Sequence, residues 1–127
     1  MIVLDASVLI AQLDQDDAHH AAARQRLRTV VKQRLGFGVS TITLAEVLVG
    51  PTSSGTLRSA SVALRALEIE ELPLPTDAAE RLAALRADTG LKLPDCCVLL
   101  AAEAADGGVL TFDERLAQAA TERGLAV

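Results

Sequence analysis

Leu91-Lys92-Leu93-Pro94-Asp95-Cys96-Cys97-Val98-Leu99-Leu100-Ala101-Ala102 is the stretch that decides the fold. Pro94 fits the first turn of a helix, where its missing N–H costs no hydrogen bond. Every residue from Cys96 to Ala102 is apolar or small, so this helix has no polar face and belongs inside the molecule. Yet Asp95 stands in its first turn. A carboxylate at the head of a buried helix needs a partner: the helix N-terminus, a cation or a metal.

The flanking sequence supplies elements that could bury such a helix. Ile2-Val3-Leu4 reads as a strand ending at Asp5, with Asp5 or Ser7 capping a helix through Val8-Leu9-Ile10-Ala11. An acidic turn leads to a helix over 18–34, with Ala23, Leu27 and Val30 on one face. A second strand covers 36–40. Thr43 opens a helix that should stop at Gly50-Pro51, followed by a loop over 52–55 and a helix over 57–67. Residues 69–74 form a weaker strand whose Glu70 and Glu71 suggest an edge. Pro75-Thr76-Asp77 starts a helix that ends at Asp88-Thr89-Gly90. Beyond the Pro94 helix and Asp106-Gly107-Gly108 come a strand at Val109-Leu110-Thr111, a turn at Phe112-Asp113 and a helix over 114–123. Residues 125–127 could add a last short strand. This alternation predicts an α/β fold in three layers, α/β/α, around a mainly parallel sheet of four or five strands. A chain of 127 residues fits one domain, 1–127.

Composition narrows the chemistry. Half the residues are hydrophobic and 23% are charged, which suits a packed soluble core. Phe37 and Phe112 are the only aromatics besides histidine, so the core is aliphatic and the sequence offers no aromatic platform for stacking bases. No stretch reaches the length of a membrane span. Residues 1–13 are apolar but lack a basic leader and contain Asp5, which argues against a signal peptide. Cys96 and Cys97 are adjacent and diverge on a helix, so they form neither a disulfide nor a zinc site and read as small buried residues. A reducing, cytoplasmic setting follows. The net charge of −5, from 12 basic and 17 acidic residues, disfavours a broad basic face for nucleic acid. It leaves room for a nuclease whose phosphate-binding charge comes from cations.

In a parallel sheet, ligands bind outside the carboxyl ends of the strands. Four acids fall there: Asp5 after the first strand, Glu46 in the first turn of the helix after the second, Asp95 heading the buried helix, and Asp113 after the strand at Val109. Each has a plainer reading. Thr43-x-x-Glu46 and Thr111-x-x-Glu114 match capping boxes, Asp95 could favour its helix dipole, and Asp113 could be an ordinary turn residue. Asp5 is hardest to dismiss, since it closes a buried strand. Clustered carboxylates repel one another, and hard divalent cations such as Mg²⁺, with oxygen ligands and retained waters, resolve the conflict. In such sites water attacks a phosphodiester in line. His19-His20 reads as solvated surface. Ser7 lacks a histidine partner for nucleophilic chemistry. Arg86 and Lys92 flank Asp95 and could touch phosphate or simply be solvated or helix-ending charges.

The ordered set Ile2-Val3-Leu4-Asp5-Ala6-Ser7, Thr43-x-x-Glu46, Leu93-Pro94-Asp95 and Leu110-Thr111-Phe112-Asp113 resembles the PIN-domain ribonucleases. The Asp-Ala-Ser-Val-Leu-Ile opening is most similar to the VapC toxins of bacterial toxin–antitoxin pairs. The resemblance covers essentially the whole chain. It implies a PIN fold and Mg²⁺- or Mn²⁺-dependent endonucleolytic cleavage of RNA. Asp5 and Asp95 would be the main metal ligands, with Glu46 and Asp113 completing the site directly or through water. Ser7 and Thr111 would orient ligands or water. It also implies a homodimer silenced by a cognate antitoxin, whose helix would lie in a groove between the helices around 43–49 and 57–67. Cys96-Cys97 stands where small residues such as alanine are usual, and Phe112 separates Thr111 from Asp113. A non-catalytic PIN-fold binding module and another metal-dependent phosphohydrolase are the competing readings. Receiver domains, Asp-x-Asp phosphatases and dinucleotide-binding folds lack their signatures here.

Overall fold

Strand β1 (Ile2–Leu4) is the hub of the sheet. In the computed structural model, which describes residues 1–127, β1 pairs in parallel with β2 (Phe37–Ser40) on one side and with β4 (Gly108–Leu110) on the other. Strand β3 (Glu70–Leu72) pairs in parallel with β2, giving the order β3-β2-β1-β4. Glu70 and Glu71 do lie on an edge strand, where charge discourages pairing with another chain. The possible fifth strand reduces to one parallel bridge, Val109 to Ala126. Gly107 is required where β4 begins: a Cβ there would collide with the Met1 carbonyl oxygen.

Side-chain alternation along β1 and β4 builds the two helical layers. Ile2, Leu4 and Leu110 point to one face. They pack with α1 (Ala6–Leu13), α2 (His20–Lys32), α3 (Thr41–Ser54) and α4 (Leu57–Ala66), through Val8, Leu9, Leu27, Val30, Val47 and Leu64. Val3 and Val109 point to the other face. There they meet α5 (Ala78–Thr89), α6 (Leu93–Ala104) and α7 (Glu114–Glu122), through Leu85, Val98, Leu99, Leu100 and Leu116. The result is the three-layer α/β/α sandwich that the alternation predicted. In α6 every residue from Cys96 to Ala102 is buried. Full burial of each large aliphatic chain contributes about 1.5–3 kcal/mol, so α6 is the anchor of its layer and fixes where Asp95 stands.

The third helix differs from the sequence reading. It starts at Thr41, with Ser40 as N-cap, and runs through Gly50 and Pro51 to Ser54, where Gly55 ends it in a left-handed conformation with φ 76°. The expected loop over 52–55 is therefore mostly its last turn. Pro51 is tolerated because α3 is held by tertiary packing against α1, α4, α6 and the sheet. Glu46 consequently lies in the second turn of α3, not the first. The Thr43–Glu46 capping box does not form: Thr43 is fully buried and its Oγ1 has no partner. Strand β4 ends at Leu110, one residue before the expected Thr111.

Candidate active site

Asp5 follows β1 directly and is the N-cap of α1, but its side chain caps nothing. Its backbone N–H donates to the Leu110 carbonyl at 3.0 Å, extending the β1–β4 ladder by one step and bringing Thr111 alongside. Asp5 is only 7% exposed. The hydroxyls of Ser7 and Thr111 both donate to its Oδ2, each at 2.7 Å. Each hydroxyl has one proton, so the 3.4 Å approach of Ser7 Oγ to Thr111 Oγ1 is left without one. Their lone pairs are used in turn. Ser7 Oγ accepts from the Phe112 N–H at 3.0 Å, and Thr111 Oγ1 from the Asp113 N–H at 2.9 Å. The loop after β4 is thereby pinned onto the loop after β1, and one Asp5 oxygen is fixed while Oδ1 is left for something else.

Asp113 is the N-cap of α7, and its Oδ1 accepts from the Leu116 N–H at 2.9 Å. The cap thus comes from Asp113 rather than from a Thr111–Glu114 box, and it commits one oxygen of this exposed acid to the fold.

Glu46 and Asp95 have no such donors. Burial pushes the Glu46 carboxyl above its ordinary range, and the charges of Asp5 and Asp95 push it further. Burial likewise raises Asp95, with added repulsion from Asp5 and Asp113, while Lys92 and Arg115 pull it back. Asp5 therefore acts on both Glu46 and Asp95, and Asp113 acts on Asp95. No three of the chain's Asp, Glu, His and Cys side chains stand close enough together to enclose an ion. The crevice instead offers scattered oxygen donors, with one open oxygen on Asp5 and unbalanced charge on Glu46 and Asp95. An ion held by such donors would keep most of its ligands as water, as hard divalent cations that take few protein carboxylates do.

Other expected residues divide. Arg86 donates to the Leu91 carbonyl at 2.7 Å and pins the turn before α6, which accounts for it without phosphate. Lys92 is the N-cap residue of α6 and faces Asp95 electrostatically, as does Arg115 of α7, a residue the sequence reading missed. Its position two residues beyond Asp113 was the available signal. Cys96 and Cys97 are buried, unbridged and held as thiols by burial. The two histidines diverge: His20 Nδ1 meets the Ala11 carbonyl at 2.7 Å, while His19 stacks on Phe112 with ring centroids 4.7 Å apart. Aromatic surface therefore exists beside the site after all, assembled from residues distant in sequence.

A four-stranded parallel α/β/α sandwich with acids gathered near the carboxyl ends of its strands is the class that the fold defines. Within that class the assignment is specific: the PIN-domain profile matches residues 2–122, and the chain belongs to the PIN domain family. Solved structures agree on the fold. A toxin–antitoxin complex from Klebsiella pneumoniae contains a chain 27% identical, with a TM-score of 0.72 over 89% of this chain and 87% of that one. VapC20 of Mycobacterium tuberculosis, a toxin that cleaves the sarcin-ricin loop, is 15% identical with a TM-score of 0.72, covering 94% of this chain and 95% of its own. VapBC2 of Rickettsia felis, bound to a DNA fragment from its promoter, is 16% identical with a TM-score of 0.70, covering 89% of both chains. No curated protein matches the chain in sequence.

Proposed function

We propose that this chain is a divalent-metal-dependent endoribonuclease of the VapC toxin type, kept silent by a cognate antitoxin. The observation that carries the reading is the gathering of acids at the carboxyl ends of the strands, Asp5 after β1 and Asp113 after β4 beside Glu46 and Asp95, with the last two raised by burial and by their acidic neighbours. A fold that accepts this electrostatic cost, offset only in part by Lys92 and Arg115, gains from a cation. Membership of the PIN domain family and the likeness to a chain of a toxin–antitoxin complex support RNA as the substrate class and an antitoxin as the partner.

Mg²⁺ or Mn²⁺, when bound, supplies Lewis-acid polarisation of the phosphoryl oxygens and offsets charge where the phosphodiester must enter. Asp5 and Asp95 would hold it, with Glu46 and Asp113 acting directly or through water. Ser7 and Thr111 keep the Asp5 carboxylate in one orientation, so its Oδ1 would be available to a cation without reorganisation. Asp113 supplies charge from a position fixed by its helix cap. Lys92 and Arg115, whose charges act on Asp95, would offer positive charge to a phosphate entering beside it.

The antitoxin reading rests on an apolar cleft. A cavity of about 340 Å³ opens between α3 and α4, lined by Val39, Leu44, Leu48, Leu64 and Ile69 with Arg65 and Glu71 at its rim. Val49 and Val62 are exposed on the same two helices, at 63% and 60%. An amphipathic antitoxin helix and a second copy of this chain are the proposed partners for such surfaces. No helix is long and apolar enough to cross a membrane.

The test is cleavage of a mixed structured-RNA pool by antitoxin-free protein with Mg²⁺, with Mn²⁺ and with EDTA, alongside Asp5→Asn and Asp95→Asn. Metal-dependent cleavage lost in both variants is expected. Cleavage that survives EDTA and both substitutions would overturn the mechanism. A folded protein that cleaves none of the pool but binds RNA would favour the non-catalytic module.

A further inference from the structure

The chain has only two phenylalanines and no tryptophan or tyrosine. Phe37 is spent in the core at 3% exposure. Phe112 is placed in the site loop, between the Thr111 that holds Asp5 and the Asp113 that faces Asp95. Its inner side packs against the core layer of α1 and α2. Its outer side carries the His19 ring, nearly parallel at 12°. His19 is itself fixed from below: its backbone N–H donates to Asp17 Oδ1 at 2.8 Å, and its Nδ1 lies 3.9 Å from the same oxygen. The His19 side chain remains 58% exposed. The core, Phe112 and His19 therefore form a column with an aromatic surface open to solvent at the rim of the acidic crevice.

We propose that this column is a nucleobase subsite, on which a base next to the scissile phosphodiester of single-stranded or looped RNA stacks against His19. The inference rests on the ribonuclease reading and names a binding element for its substrate. Sequence-specific RNA recognition targets unstacked bases, which stack on aromatic rings including histidine. Stacking on any base tolerates sequence, because each has a π-face. The placement matters as much as the ring. The Phe112 N–H is bonded to Ser7, which is bonded to Asp5, so the column and the carboxylate are held in a fixed relation. A base seated on the column would register its neighbouring phosphate against the acids. The position also compensates for what the net charge of −5 denies, a broad electrostatic grip on RNA.

The experiment uses the full chain and a short fluorescein-labelled single-stranded RNA. The same RNA is also made with one abasic ribose at each position in turn. Binding is measured with Asp5→Asn protein, which leaves the RNA intact, and cleavage with the otherwise unmodified protein. At one position the abasic RNA should bind about five- to a hundredfold more weakly. His19→Ala should cause a loss of the same size on the intact RNA and remove the sensitivity to that abasic position. His19→Phe should restore both. In cleavage, His19→Ala should raise KM with kcat little changed. Phe112→Ala should mimic His19→Ala if the loop stays folded, and Phe112→Tyr should match the parent. Equal binding of intact and abasic RNA, an unaffected His19→Ala, or no RNA binding by any form would overturn the subsite. The two readings separate cleanly. Asp5-dependent cleavage indifferent to His19 and to abasic sites removes only the subsite. Base-dependent binding without any cleavage removes the nuclease and keeps the subsite.

Discussion

Asp5 and Asp95 carry the same charge into the same crevice and are held in opposite ways. Asp5 is almost wholly buried, yet two hydroxyls converge on one of its oxygens, and backbone amides hold those hydroxyls in turn. Asp95 heads a helix that is buried from Cys96 to Ala102, it has no donor of its own, and its neighbours Asp5 and Asp113 repel it. Glu46 is in the same position on α3. One half of the site is a finished hydrogen-bond network and the other half is an unbalanced charge. The finished half fixes geometry, and the unbalanced half demands a ligand. A purely structural acid cluster would not need both.

The largest expected effect tests the shared role. Asp5→Asn and Asp95→Asn should each lower RNA cleavage by about a hundredfold or more, because a metal supplies several kcal/mol of charge stabilisation and each 1.36 kcal/mol is tenfold in rate. Single-turnover kinetics on a cleaved RNA from the pool would measure it. The intermediate effect isolates the network. Ser7→Ala and Thr111→Val should each cost about 10–100-fold in activity or metal affinity, the usual loss when an outer-shell partner of a ligand is removed. Kinetics at saturating and limiting Mg²⁺ would separate those two losses.

The smaller effects concern stability, and they should have opposite signs. Asp5→Ala leaves two half-buried hydroxyls without their acceptor and should destabilise the metal-free protein by about 1–3 kcal/mol. Asp95→Asn removes repulsion and should stabilise it modestly in EDTA, as chemical denaturation would report. The pH dependence follows with its sign. Glu46 and Asp95 have folded pKa values raised above 4.5 and 3.8, so the folded state binds these protons more tightly than the unfolded chain. Their contribution therefore favours the metal-free fold at pH below those ordinary values and is lost as pH rises through the raised ones. In Asp95→Asn this slope should flatten.

Thr43→Val gives the finest test. As a capping residue, Thr43 would lose about 0.5–2 kcal/mol on removal of its hydroxyl. Buried and unpaired, as it is, the hydroxyl should be neutral or slightly unfavourable, so Thr43→Val should leave stability unchanged or raise it.

That residue also marks where the sequence stopped being legible. Strands β1 and β4 and helix α6 could be read because burial on both sides writes continuous apolar runs, and Asp5 and Asp95 could be found because they interrupt those runs. Helix α3 could not be bounded: Gly50-Pro51 is a local stop signal, and packing against α1, α4 and α6 overrides it. With the helix start moved to Thr41, Glu46 shifted by one turn and the capping box dissolved. Arg86 and Arg115 exchanged importance for a similar reason. Proximity in sequence to Asp95 favoured Arg86, but the Leu91 carbonyl claims it, while α7 brings Arg115 back from beyond Asp113. The His19–Phe112 stack depends on tertiary contact alone, and no local pattern announces it.

The most direct measurement is the thermal midpoint of the metal-free protein titrated with Mg²⁺, for the parent and for Asp5→Asn and Asp95→Asn. Ligand that binds only the folded state raises the midpoint with concentration. The account predicts a clear rise in the parent that is largely lost in both variants, with Asp95→Asn starting from the higher metal-free midpoint. A parent that does not respond to Mg²⁺ or Mn²⁺, or variants that respond as the parent does, would contradict the claim that these carboxylates form one cation site.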